Sequence, residues 1–166
     1  LFRSGNFNVV SFDEMLKCGK RYSSVGEFTI QEKEFLEELF VANARQYGFL
    51  GDKVMTELTA PISKRDRKKV DRTGHFLYRG ESEALYKKLE ADLGINIVLT
   101  SGIRSVVKQT HLFLAKTIAS KGNLSKASRS LAPPGHSYHG VGYVDIRYHR
   151  ENMLGVRYEP WHIKVV

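Results

Sequence analysis

Apolar positions recur at helical spacing in three stretches of the chain. Thr29-Ile30-Gln31-Glu32 has the signature of a helix start: the Thr29 hydroxyl can accept from a free first-turn N–H, and Glu32 can reach back. Phe35, Leu36, Leu39, Phe40 and Tyr47 then form a stripe ending at Gly48, which predicts a helix packed into the core. A second helix is expected over residues 82–93, with Leu85, Leu89 and Leu93 on one face and Gly94 beyond its end. A third, over residues 105–121, is expected to bury Val106, Val107, Phe113, Leu114, Thr117 and Ile118. Residues 95–100 are an apolar run of strand length, broken at Ser101-Gly102. Residues 122–135, rich in Ser, Asn and Pro, predict a loop, and 143–148 and 161–166 predict short strands. The first 28 residues show no clear period.

Helices that precede clustered strands point to an α+β fold rather than alternating βαβ units. The expectation is one domain over residues 1–166, with residues 1–94 mostly helical. Helices pack on one face of a small, mostly antiparallel sheet.

Composition narrows the class. A length of 166 residues suits one domain, and 42% hydrophobic with 27% charged residues excludes disorder, collagen-like repeats and coiled coil. No apolar run approaches the roughly 18–20 residues of a membrane span. The formal charge of 26 − 18 = +8 favours anionic partners. Six of the ten residues from 63 to 72 are Lys or Arg. With Asp66 and Asp71 interspersed and no aromatic inside the run, it reads as a solvated loop, and no nucleic acid partner is expected. Cys18 is the single cysteine, so no disulfide closes within the chain, and it reads as a small packed hydrophobe. The chain opens at Leu1 rather than Met, which leads us to expect an excised piece or a processed product, from which any signal peptide is already gone.

The candidate chemistry lies late in the chain. Four of the six histidines fall between 136 and 162, and His136, His139 and Asp145 share one turn-rich segment. Glu159-Pro160-Trp161-His162 follows. A catalytic zinc takes three His or carboxylate ligands and keeps one position open for water, and a nearby carboxylate can take a proton from that water. His139, Asp145 and His162, with Glu159 beside them, have that composition; His136 is a reserve ligand. His75, His111 and His149 are taken as structural or surface residues.

Three motifs then carry a resemblance. Ser101-Gly102-Ile103-Arg104-Ser105 with Gln109, Ser137-x-His139-x-x-Gly142 with Asp145, and Glu159-x-Trp161-His162 resemble, in order, the elements of the zinc D-alanyl-D-alanine carboxypeptidases (VanY-like). They span residues 101–162. The common family pattern puts Asp seven residues after His, whereas Asp145 is six after His139. On an extended strand one residue of slip turns a side chain to the other face, so either the turn at 140–142 is tighter or the ligand set differs. Glu159 and His162 also face opposite ways on a regular strand, which predicts that the strand begins at or after Trp161.

The resemblance implies a Hedgehog/DD-peptidase-like fold with a zinc cleft at the sheet. It implies a zinc D,D-carboxypeptidase that removes the terminal D-Ala of peptidoglycan stem peptides. His139, Asp145 and His162 would hold Zn²⁺, Glu159 would be the general base, and Arg104 would bind substrate oxygen or the oxyanion. Arg104, Gln109, Ser137, Tyr138 and His136 are the implied substrate contacts, although a solvated helix face also accounts for Gln109. A periplasmic or otherwise extracytoplasmic location and a monomer are expected. The alternatives are an L,D-carboxypeptidase or cell-wall endopeptidase of the same family, a non-catalytic zinc-stabilised binding module, and a nucleic-acid binder built on residues 63–72.

Overall fold

The computed structural model describes residues 6–93, 97–148 and 161–163. Five α-helices and five strands are described: α1 Phe12–Arg21, α2 Ile30–Val41, β1 Arg67–Lys69, β2 Phe76–Tyr78, α3 Glu81–Leu93, β3 Ile97–Ser101, α4 Val106–Ala119, α5 Leu124–Ser128, β4 Val144–Tyr148 and β5 Trp161–Ile163. β1 and β2 form an antiparallel hairpin, and β3-β4-β5 form a three-stranded antiparallel sheet with β4 in the centre. The α+β class is therefore borne out.

Local chemistry explains the helix ends. Thr29 caps α2 and Glu32 reaches back to it, the expected capping box. α2 stops at Val41, however, and Tyr47 sits on a separate 3-10 turn that Asn43 caps. The stripe read as one face thus belongs to two elements, and Phe35 is exposed while Leu39 and Phe40 are buried. Ser11 and Glu14 make a second capping box, which starts α1 inside the stretch that shows no period. Ser105 caps α4. Ile118 is 77% exposed, contrary to expectation, because the buried face of α4 ends with Phe113 and half-buried Leu114. The presumed loop at 122–135 contains α5, capped by Asn123.

One face of the three-stranded sheet is apolar. Ile97, Leu99, Val144 and Ile146 pack with Leu77 of β2 and Tyr86 of α3. Tyr86, rather than a leucine stripe, is the buried centre of α3, and Leu93 is exposed. The β1–β2 hairpin is a correction to the mostly helical reading of residues 1–94. Its β1 is cut from the basic run, which therefore is not a loop throughout. The hairpin forms because Phe76 and Leu77 are buried while Lys68 and Lys69 stay exposed, so one strand supplies the core face and the other the solvated edge. Side chains alternate along β4, so with Val144 and Ile146 in the core, Asp145 lies on the opposite face.

Candidate active site

The segment after β3 is held from both sides. Ile103 N–H donates to Phe76 O at 2.7 Å, Arg104 N–H to His139 O at 3.1 Å, and Ser105 N–H to Asn8 O at 2.7 Å. Gly102 lies so close to β2 that a Cβ there would run into the Phe76 carbonyl oxygen. Only glycine permits this approach. Its own carbonyl oxygen meets His139 Nδ1 at 3.1 Å. The S-G-x-R element and the His139 turn are thus stitched together at two points.

His139 sits on a 3-10 turn, Tyr138–Val141, that ends at Gly142 with φ 111°, a left-handed conformation suited to glycine. Tyr78 OH donates to Gly140 O at 2.8 Å, and Ser82 Oγ donates to Gly142 O at 3.3 Å, so β2 and α3 fix the turn. The strand-parity argument does not apply here, because His139 precedes the strand on a turn. Six residues of separation bring His139 Nε2 to 3.3 Å from Asp145 Oδ2. Across the sheet, Asp145 pairs with Ser101 of β3 and with His162 of β5. A bulge at Thr100 sets the first of these registers: Leu99 pairs with Ile146 and Ser101 with Asp145.

The His139 ring has an assignable polarity. A backbone carbonyl can only accept, so the contact to Gly102 O places the proton on Nδ1 and leaves a lone pair on Nε2. That lone pair faces a carboxylate oxygen, which is also an acceptor. Two acceptors at 3.3 Å repel unless a cation lies between them, either a further proton or a metal ion. A neutral imidazole oriented through its second nitrogen, with a carboxylate alongside, is a donor set that zinc accepts. Among the described residues no three His, Cys, Asp or Glu side chains converge on one point. That set excludes Glu159 and the His162 side chain, which lie outside the description.

Arg104 is the fixed cation of the site. Its Nη2 donates to Ser101 Oγ at 2.9 Å and its Nη1 to Gln109 Oε1 at 3.0 Å. Burial pulls the guanidinium below its usual pKa and Asp145 opposes that shift; the group remains charged in either case. Gln109 is 1% exposed, which removes the solvated-face reading. Its amide nitrogen donates to Ala132 O. Its two partners are Arg104 and the loop before Pro133, so it holds the arginine in place.

The other candidates divide. Ser137 is buried at the start of the His139 turn and makes no capping bond with its side chain. Tyr138 is 41% exposed and packs against Tyr143, with ring centroids 4.9 Å apart. His136 belongs elsewhere: its Nδ1 contacts Gly51 O at 3.2 Å, and its ring stands edge-on to Phe49. It lines a small pocket with Asn43 and Lys53 rather than joining His139 and Asp145. His111 is exposed and stands edge-on to Phe7; His149 lies outside the described residues.

His75 has the structural setting expected of it. It is half-buried next to Phe76, with Nδ1 3.4 Å from Asn8 Nδ2. Burial lowers its pKa, and Arg104, His139 and Lys108 push it the same way while Asp145 opposes them.

Residues 78–152 match the family model of the VanY D-alanyl-D-alanine carboxypeptidases. The match covers just under half of the chain and takes in the first two motifs; the Glu159-x-Trp161-His162 element lies beyond it. No individually curated protein matches. Two solved structures are similar. One is a vancomycin-resistance D,D-pentapeptidase VanY from a VanB-type cassette in complex with Zn(II), 25% identical over 49% of this chain, TM-score 0.38. The other is VanYB in complex with D-alanine-D-alanine, 20% identical over 61% of this chain, TM-score 0.44. The chain spans 51% and 60% of their lengths.

Proposed function

We propose that this chain is a zinc-dependent peptidase that removes the terminal D-Ala of peptidoglycan stem peptides. The observation that carries the reading is the His139–Asp145 pair, with Nε2 and Oδ2 3.3 Å apart and the imidazole Nδ1 at Gly102 O. The family match over residues 78–152 supports the substrate class. The third ligand is His162, whose register position opposite Asp145 supports it, since directly paired residues of an antiparallel sheet share a face.

Zinc bound there supplies Lewis acidity toward the scissile carbonyl and makes water nucleophilic near neutral pH. The protein does the rest. His139 and Asp145 would hold the ion, and the Gly102 carbonyl keeps the His139 tautomer fixed. Glu159, in the E-x-W-H element, accepts a proton from the attacking water and returns it to the departing amine of D-Ala. The hydroxyl ends on the carbonyl carbon, so the products are a shortened peptide and free D-Ala. Arg104, oriented by Ser101 and Gln109, neutralises negative charge on substrate oxygen as it develops. Gln109 acts through Arg104 rather than on the substrate. Because peptidoglycan is the substrate, the site of action is extracytoplasmic, and among the described residues no helix is long and apolar enough to cross a membrane.

The test is mass spectrometry of defined muropeptides. Pentapeptide losing one alanine, with tetrapeptide left intact, is the expected result. Cleavage of tetrapeptide alone would move the assignment to L,D-carboxypeptidase activity, and cleavage of cross-linked dimers alone to an endopeptidase.

A further inference from the structure

A cavity of about 430 Å³ opens between α1 and the segment leading into β1, and it shares no residue with the site above. Four cations line it: Lys17 and Arg21, one helical turn apart on α1, and Lys64 and Arg67 from the basic run. Glu14 is the one acid in the lining. Its Oε2 already accepts from the Ser11 N–H at 2.9 Å, closing the cap of α1. The lining thus carries +4 − 1 = +3 of the chain's +8.

One of the four cations is fixed in advance. Arg67 Nη1 donates to Val9 O at 3.2 Å and to Ile62 O at 3.1 Å, and the guanidinium lies over the Phe76 ring at 5.4 Å. An arginine already anchored loses little freedom on binding, and its planar fork suits the oxygens of a tetrahedral anion. Buried Val9 and Val10 form part of the wall, which strengthens charge attraction above what open water allows.

We propose that this cavity binds a phosphate-bearing anion, independently of the peptidase site. A concave site with three net charges and one fixed fork favours a compact, multiply charged group. A monocarboxylate brings one negative charge, whereas a phosphomonoester brings nearly two. A cavity of this volume also suits a small molecule better than an extended polymer.

The chain carries its own reporter, because Cys18, its single cysteine, lines the same cavity. The experiment titrates the whole chain with inorganic pyrophosphate and, in parallel, glycerol 3-phosphate, followed by calorimetry and by the rate of Cys18 alkylation with iodoacetamide. Saturable one-to-one binding of either ligand, with protection of Cys18 at the same midpoint, is expected; the stronger ligand separates a diphosphate from a simple ester. The double variant Lys17→Glu/Lys64→Glu, at two exposed positions, should weaken binding at least about tenfold while circular dichroism stays unchanged. Lys126→Glu on α5, an exposed control of the same kind, should change it by less than about twofold. Absence of saturable binding, an unprotected Cys18, or an equal loss in the Lys126 control would overturn the proposal. So would tighter binding per phosphate to a single-stranded DNA 12-mer, which would indicate an extended nucleic-acid surface instead.

Discussion

Gln109 Oε1 accepts from Arg104 Nη1 at 3.0 Å, and the same buried side chain donates through its amide nitrogen to Ala132 O. A residue on α4 therefore connects the arginine of the S-G-x-R element to the loop that precedes the His139 turn. Replacing Gln109 with Ala leaves a buried guanidinium N–H and a carbonyl without this partner. A loss of about 1–3 kcal/mol in urea unfolding is expected. If Arg104 serves the transition state, kcat should fall by up to about 100-fold, with KM changing less. A variant that unfolds more easily yet keeps its kcat would show that Gln109 only supports the fold.

Gly102 provides a sterically sharper test. Gly102→Ala places a methyl group against the Phe76 carbonyl oxygen, which is backbone and has little room to move. Either the β2 contact opens or the S-G-x-R segment shifts. Destabilisation of about 1–3 kcal/mol is expected, read from the denaturation midpoint at unchanged m value. Retention of wild-type stability would mean that the close approach of these two segments is not required.

The Tyr78 hydroxyl tethers the turn that carries His139. Burial raises its pKa, so the neutral donor form is the one present at ordinary pH. Tyr78→Phe removes one hydrogen bond and leaves the ring packing, so a loss of about 0.5–1.5 kcal/mol is expected. The fast-exchanging amides should then cluster at residues 138–142 in a hydrogen-exchange experiment. A uniform increase in exchange over the whole chain would contradict a local tether.

The proposed metal ligands make separable predictions. His139→Ala and Asp145→Ala should each weaken zinc binding by at least about 100-fold, given the several kcal/mol each ligand contributes to a zinc site. His136→Ala should leave zinc affinity unchanged, because His136 contacts Gly51 and Phe49 instead. Competition with a chromophoric chelator measures all three. Loss of affinity in the His136 variant comparable to that in the Asp145 variant would reassign the ligand set.

Local signals were legible where side chain and backbone meet within a few residues. The Thr29–Glu32 box marks the start of α2 in the sequence and in the structure. Ser11-Phe12-Asp13-Glu14 has the same form and starts α1, so its sequence signal was present as well. The hairpin of β1 and β2 was hidden because Arg67, Lys68 and Lys69 are poor strand formers, and β2 supplies the burial for both. Phe35 and Ile118 misled because apolar periodicity carries past the point where tertiary contacts end. The motifs singled out Arg104, His139 and Asp145, and the fold joins Arg104 N–H to His139 O and brings the His139 ring to Asp145, even though the spacing of the last two departs from the usual pattern. What the sequence could not supply was long-range: the stitching of Gly102 to His139 and the burial of Gln109.

The central claim is that one zinc ion, held through His139 and Asp145, makes this chain a D-Ala-releasing peptidase. The most direct measurement titrates metal-free protein with zinc while following D-Ala release from an acyl-Lys-D-Ala-D-Ala peptide. Release should rise linearly to one equivalent of zinc and then level off. It should vanish with chelator, and it should be absent in Asp145→Ala at the same zinc concentration. D-Ala release that persists without zinc, or that Asp145→Ala retains in full, would contradict the account; so would the absence of release at one equivalent of bound zinc.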